Sequence, residues 1–190
     1  AMNRAVPYAG GKIIIFSDAN AMMEPRSVRY MVANFADPEV GCVSGEKRIK
    51  RSDDIQAEGE SIYWRYEAFL KRSDSEVSTA IGAVGEFFGI RRELYQPLET
   101  DNLIEDFVLA MRLVMDGWRV IYEPKAVTWE EASPSLEGEW ERRVRMAAGG
   151  FQAVFRLRGL FSPKYGLISF QYISHKVLRW LAPFFMLSAL

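Results

Sequence analysis

Cysteine and histidine are almost missing: the 190 residues include one of each, Cys42 and His175. A single cysteine excludes an internal disulfide framework and suits a reducing compartment. Cys42 sits within an apolar stretch and reads as inert core, and His175, beside Lys176, reads as structural or interfacial rather than catalytic. Acidic residues are also missing, but only locally. From Arg142 onward there are eight Lys or Arg residues and no Asp or Glu, so the part before Arg142 carries a net charge of about −9. Internal repeats and low-complexity tracts are absent, and residues 1–11 lack the basic-then-apolar pattern of a signal peptide. With 49% hydrophobic and 26% charged residues the composition excludes a disordered chain. The length suits one domain with a sizeable core.

No uncharged run is long enough by itself to span a bilayer. The last one, Trp180–Leu190, has eleven residues behind Lys176 and Arg179, against the roughly 20 that a span needs. A basic, aromatic-rich end on an acidic body points to a membrane surface rather than to nucleic acid. The expectation is a transmembrane helix that starts here, with its basic flank cytoplasmic; the alternative is a C-terminal core helix.

What remains alternates between strand and helix patterns, which predicts an α/β sheet domain. Lys12–Ser17 reads as a strand buried on both faces. Pro25 opens a helix over 26–35 with Val28, Met31, Val32 and Phe35 on one face. Val40–Ser44 is a second strand. Asp53 or Asp54 is expected to cap a helix to about Arg72, with Ile55, Ile62, Tyr66 and Phe69 inward. Ala80–Val84 and Phe87–Arg91 read as short strands. Leu103–Asp116 is the strongest helix, ended by Gly117, and Trp118–Glu123 is a strand stopped by Pro124. Leu136–Ala148 is a basic amphipathic helix, which Phe151–Leu160 continues along an interface.

Three groups carry the oxygen and nitrogen atoms for chemistry. Asp18 and Asn20 follow the first strand directly, where functional groups of open α/β sheets gather. Their oxygens suit Mg²⁺ or Mn²⁺, which would neutralise a diphosphate leaving group; a plain turn before Pro25 is the alternative. Glu105 and Asp106 start the strongest helix. A capping box from Asn102 to Glu105 accounts for the first carboxylate and leaves Asp106 free to take a proton from a hydroxyl, although a helix N-terminus would lower its pKa. Arg142 and Arg145 share a helix face and could clamp phosphate, or the helix could lie on anionic lipid.

The order Ser17-Asp18-Ala19-Asn20, Glu67, Gly82–Arg92, Glu105-Asp106, Gly117–Val120 and Arg142–Met146 resembles family 2 glycosyltransferases of the GT-A fold, over roughly Asn3 to Leu190. The resemblance implies the later part of a catalytic domain over 1–135, amphipathic interfacial helices over 136–166, and the start of a transmembrane segment over 167–190. It implies a mixed sheet flanked by helices, located at a cell (inner) membrane with the catalytic side cytoplasmic. By it, Asp18 and Asn20 match the metal- and nucleotide-contacting motif, and Asp106 matches the general base with Glu105 beside it. Gly85, Glu86 and Arg91 fall in the segment lining the donor and acceptor side. Arg142 and Arg145 fall where processive synthases carry Gln-x-x-Arg-Trp. The implied reaction is metal-dependent transfer of a sugar, with inversion, from a nucleotide-diphosphate donor to a polysaccharide or lipid hydroxyl. Asn20 for a second Asp, and Arg142 and Met146 for Gln and Trp, depart from the pattern. They keep open a non-catalytic membrane partner; a nucleotidyltransferase is the other alternative, against which the basic helix and apolar end argue.

Overall fold

A computed structural model describes residues 1–49, 55–131 and 136–188, with side chains from 65 to 131 and from 137 onward in the last two stretches. The chain order is α1 (Met2–Ala5), β1 (Ile13–Ser17), β2 (Met22–Met23), α2 (Ser27–Ala33), β3 (Val40–Ile49), α3 (Ile55–Val77), β4 (Phe87–Arg91), α4 (Glu105–Met115), β5 (Arg119–Glu130), α5 (Leu136–Arg156), α6 (Leu167–Tyr172) and α7 (Leu178–Ser188). The five strands form one mixed sheet in the order β1-β4-β3-β5-β2, in which β3 and β5 are parallel and the other pairs antiparallel. This α/β sheet with flanking helices agrees with the expected fold class.

Strand alternation decides which face each residue serves. Cys42, Phe88, Ile90, Val120 and Tyr122 join the core beneath α4, α5 and the C-terminal helices. Their neighbours Val43 and Phe87 face the other way, against Met31 and Phe35 at α2. β1 is less covered than expected: every residue from Ile13 to Phe16 is half-buried rather than buried, because among the described residues its one strand neighbour is β4.

α4 buries Phe107 through Met111, Leu113 and Val114, so it is apolar nearly all round. It ends as anticipated. Gly117 takes φ +93°, its N–H donates to the carbonyl of Val114, and Trp118 N–H donates to that of Leu113, closing the last turn in a Schellman arrangement.

Several elements differ from the sequence expectation. α2 turns Ser27, Met31 and Phe35 inward and leaves Val28 and Val32 outside. Its start is anchored by the Ser27 hydroxyl, which donates to Val127 O and accepts from Val127 N. α3 leaves Tyr66 and Phe69 exposed and buries Glu67, Lys71, Asp74 and Ser75 instead; Asp53 and Asp54, and the side chains of Ile55 and Ile62, lie outside the described residues. Residues 80–84 form a buried turn rather than a strand. Gly82 takes φ +100° under the Phe107 ring, and Val84 N–H donates to the Ser44 hydroxyl. β5 runs straight through Pro124, because the pairing with β3 jumps from Ser44–Tyr122 to Glu46–Val127. Pro124 thus falls in the irregular stretch, where no ladder donor is required.

The C-terminal part folds back on the body. α5 runs on through residue 156, and Ala153, Leu157 and Leu160 are fully buried. Ser169, Gln171, Tyr172, Lys176 and Val177 are buried too, so one side of residues 167–177 packs against protein while Leu167 and Phe170 are exposed. Among the described residues no helix is long and apolar enough to cross a membrane. α7 is eleven residues long and contains Pro183, and Phe184 through Leu187 are exposed.

Candidate functional site

A cavity of about 1070 Å³ opens between the ends of β1 and β5, the turn before β4, the start of α4, and helices α3, α5 and α7. Asp18, Asn20, Gly85, Glu86, Glu105, Asp106, Arg142 and Arg145 all line it.

The sheet register brings the first carboxylates together. Ser17 pairs with Phe87, so the next residue on one strand and the previous one on the other, Asp18 and Glu86, fall side by side, and Asp18 N–H donates to the Glu86 carbonyl at 3.4 Å. Burial raises the Asp18 carboxyl above its ordinary value, and the Glu86 carboxylate raises it further. Lys47 and Arg145 act in the opposite direction. Burial pushes Glu86 up as well, but the Lys47 ammonium, which donates directly to it, leaves the net shift downward. Lys47 also pairs with Glu130 at 2.6 Å.

α4 begins at Glu105, with Ile104 as its N-cap and no side chain capping it. The expected capping box is therefore not formed: the Asn102 side chain accepts from Ile104 N–H at 3.3 Å instead. Asp106 leans on Gly85, where an added Cβ would sit 3.1 Å from Asp106 Oδ2. Its carboxyl is pushed up to about 6, first by loss of hydration and then by Glu86. The adjacent helix amides do act to lower it, as the sequence suggested, but burial outweighs them. On α5, Arg142 is held by Glu139 at 3.1 Å, and the charge of Arg145 acts to lower the Asp18 carboxyl.

Arg91 is not part of this cavity. It lies at the far end of β4, roughly 13 Å of strand from Phe87. Its guanidinium donates to the carbonyls of Phe35, Asp37 and Val40, tying down the connection between α2 and β3. His175 is likewise structural, with Nδ1 3.0 Å from Asp74 Oδ2. Cys42 is buried, and burial pushes its thiol up.

The inner end of the cavity went unassigned in the sequence. Glu67, Lys71, Lys176, Arg179 and Trp180 line it. Glu67 receives Lys176 and, at 2.5 Å, Arg179. Burial pushes the Glu67 carboxyl up, yet these cations bring it well below the usual range; Lys176 is lowered to about 8 by burial. The polar inner face of α3 carries no apolar period, so only Glu67, through the resemblance, and the basic residues after Arg142, otherwise unmatched by acid, hinted at it.

A family model described as Glycosyl transferase family group 2 matches residues 13–190. The poly-beta-1,6-N-acetyl-D-glucosamine synthase of Staphylococcus aureus (strain COL) is 30% identical over 161 residues, 82% of this chain and 39% of the relative. That of Staphylococcus epidermidis is 26% identical over the same shares. The chain therefore spans about two-fifths of the length of the curated relatives it matches. Among solved structures, mannosyltransferase PcManGT from Pyrobaculum calidifontis, in complex with GDP-Man and Mn²⁺, shares the fold with a TM-score of 0.69 at 23% identity, over 96% of this chain and 53% of that one. With nearly its whole length matched by the family model, the chain belongs to glycosyl transferase family group 2.

Proposed function

We propose that this chain carries the site at which a nucleotide-diphosphate sugar is transferred, with inversion, to an acceptor hydroxyl of a polysaccharide or lipid. The observation that carries this reading is Asp106: a carboxylate with its pKa near 6 that faces the same cavity as Asp18, Asn20 and Arg145. A base tuned towards neutral pH holds a proton well enough to draw it from a hydroxyl and is still ionised at pH 7.

Among the described residues no three His, Cys, Asp or Glu side chains converge as a self-sufficient metal site. The donor set fits Mg²⁺ or Mn²⁺ of the kind that takes one or two protein oxygens and the rest from phosphate and water. Asp18 and Asn20 would hold it, and the Glu86 carboxylate beside Asp18 adds negative charge that a cation relieves. PcManGT was solved with Mn²⁺ and GDP-Man, which supports the same class of ligand here. When bound, the ion supplies charge neutralisation for the departing diphosphate.

Asp106 accepts the acceptor's proton while the oxygen attacks the anomeric carbon from the side opposite the leaving group. The bond from that carbon to the diphosphate breaks with its electron pair on the phosphate oxygen. Arg145, with Arg142 behind it, adds positive charge on the diphosphate side. Glu105 stays beside the base, and Gly85 leaves the room that the carboxylate occupies. Glu86 is held by Lys47 as a fixed negative charge that keeps Asp106 basic.

The exposed apolar end of α7, Phe184 to Leu187, supports a location at a cell membrane with the cavity on the cytoplasmic side. Flotation with anionic liposomes, lost on replacing Phe184 and Phe185 by Ser, would test that location. The reaction is tested by nucleoside diphosphate release from a panel of GDP-mannose, UDP-glucose and UDP-N-acetylglucosamine with Mg²⁺ or Mn²⁺. Metal-dependent release from one donor that disappears in Asp106→Asn is expected. Release that survives that change would remove Asp106 as the base.

A further inference from the structure

Lys71 is a buried cation without a hydrogen-bond or ion-pair partner among the described residues. It keeps 6% of its exposure on the inner face of α3, lines the cavity, and makes no hydrogen bond or ion pair with any described residue. A buried ammonium in that state is costly unless something satisfies it. Of the carboxylates its charge acts on, Glu67 is taken by Lys176 and Arg179, Glu86 by Lys47 and Glu46 by Arg48, which leaves Asp106.

Its place follows from the helix that carries it. Lys71 stands four residues after Glu67 on the buried face of α3, and Glu67 receives Lys176 and Arg179, the latter next in the chain to Trp180. Lys71 therefore belongs to the side of the cavity that Glu67 and α7 form, and its charge acts on Glu67, Glu86 and Asp106. On that same side Trp180 is half-buried, and its ring meets Phe107 edge-on at 5.5 Å. Its indole lies over Gly150, where a Cβ would approach it to 2.6 Å. An aromatic ring and a buried ammonium lining one cavity are a combination that takes a sugar: an apolar face for the ring's C–H groups and a charged donor for its oxygens.

We propose that Lys71 and Trp180 form the subsite for an acceptor saccharide, with the Lys71 ammonium donating to acceptor oxygens and Trp180 supporting the sugar ring. This assignment rests on the reading of Asp106 as the base, because it places the acceptor by reference to that carboxylate.

The test uses the intact protein with oligomers of β-1,6-linked N-acetylglucosamine and of mannose as acceptor probes. Each oligomer is titrated calorimetrically without donor, and steady-state transfer is measured with the donor that supports it. In Lys71→Met and in Trp180→Ala the dissociation constant and the KM for the oligomer rise about ten-fold or more, as loss of a charged hydrogen bond or a ring contact would require. The KM for the donor shifts far less than that for the oligomer, and Lys71→Arg recovers part of the loss. Lys71→Gln and Trp180→Phe, checked by thermal melting, stand in if a larger change unfolds the chain. Oligomer affinity within two-fold of wild type in folded Lys71 variants, a rise confined to the donor KM, or no oligomer binding by the wild-type protein would each overturn the subsite. Oligomer binding that depends on Lys71, in a protein whose Asp106→Asn variant still transfers, would sink the base and leave the subsite standing.

Discussion

Helices α3 and α4 flank the same cavity and are built on opposite plans. α4 buries apolar side chains around almost its whole circumference and offers only its first turn, Glu105 and Asp106, to the cavity. α3 does the reverse. It turns Glu67, Lys71 and Asp74 inward and leaves Tyr66 at 56% and Phe69 at 65% exposure. Burying charge stabilises a fold less than burying hydrocarbon does, and often costs it. A helix that hides its charges and shows its aromatics is therefore shaped by a site, whereas α4 is shaped by the core.

Four substitutions separate the two plans, from the strongest effect to the weakest. Asp106→Asn, at the functional end of α4, should lower the transfer rate on the order of 10³-fold, within the usual range for losing a general base. In the wild type, the acid limb of the pH–rate profile should fall near pH 6, where Asp106 takes up its proton. The same change should stabilise the fold. A carboxyl raised from 3.8 to about 6 contributes stability below the lower value and loses it as pH rises through the upper one. At pH 7 the ionised group costs about 3 kcal/mol, which the amide removes; a thermal melt at pH 7 and at pH 4 should show most of the gain at the first.

Glu67→Ala leaves Lys176 and Arg179 buried without their carboxylate and should cost about 3–5 kcal/mol in denaturant unfolding. Leu109→Ala, in the apolar body of α4, should cost about 3 kcal/mol by cavity formation, with the acid limb of the rate profile unmoved. Phe69→Ser, on the exposed side of α3, should change stability by no more than about 0.5 kcal/mol. A large loss there would mean that this face is covered in the working protein.

The same contrast explains what could be read from sequence. α4 was legible because its core residues recur at helical spacing and Gly117 closes it. The residues that line the cavity's outer part were legible because they stand at strand and helix ends. Asp18 follows β1, Glu86 precedes β4, and Asp106 opens α4, so topology alone collects them around one cavity. α3 misled because its aromatic residues carry a helical period that faces solvent, while the residues it buries are of types that sequence places outside. Arg91 misled by proximity along the chain: five strand residues carry it from the cavity rim to the opposite end of the sheet. Pro124 read as a strand end because the irregular pairing that tolerates it depends on β3, which is remote in sequence. Asp106 read as a carboxylate of low pKa because helix position is local information and burial is not.

Between α6 and α7 the chain makes a π-helical turn over Ile173–Val177. A turn of this kind holds one residue more than an α-helical turn, so it sets the angular phase of everything after it. Were the same sequence to relax to regular α-helix, the faces of α7 would rotate by about 100° relative to α6. Trp180 and Arg179 would then swing away from the cavity, while Tyr172 kept its place. Removing one residue from the turn as it relaxed would restore the phase. The wide turn thus acts as an indexing step, matching a helix that packs on the core to one that completes the wall of the site.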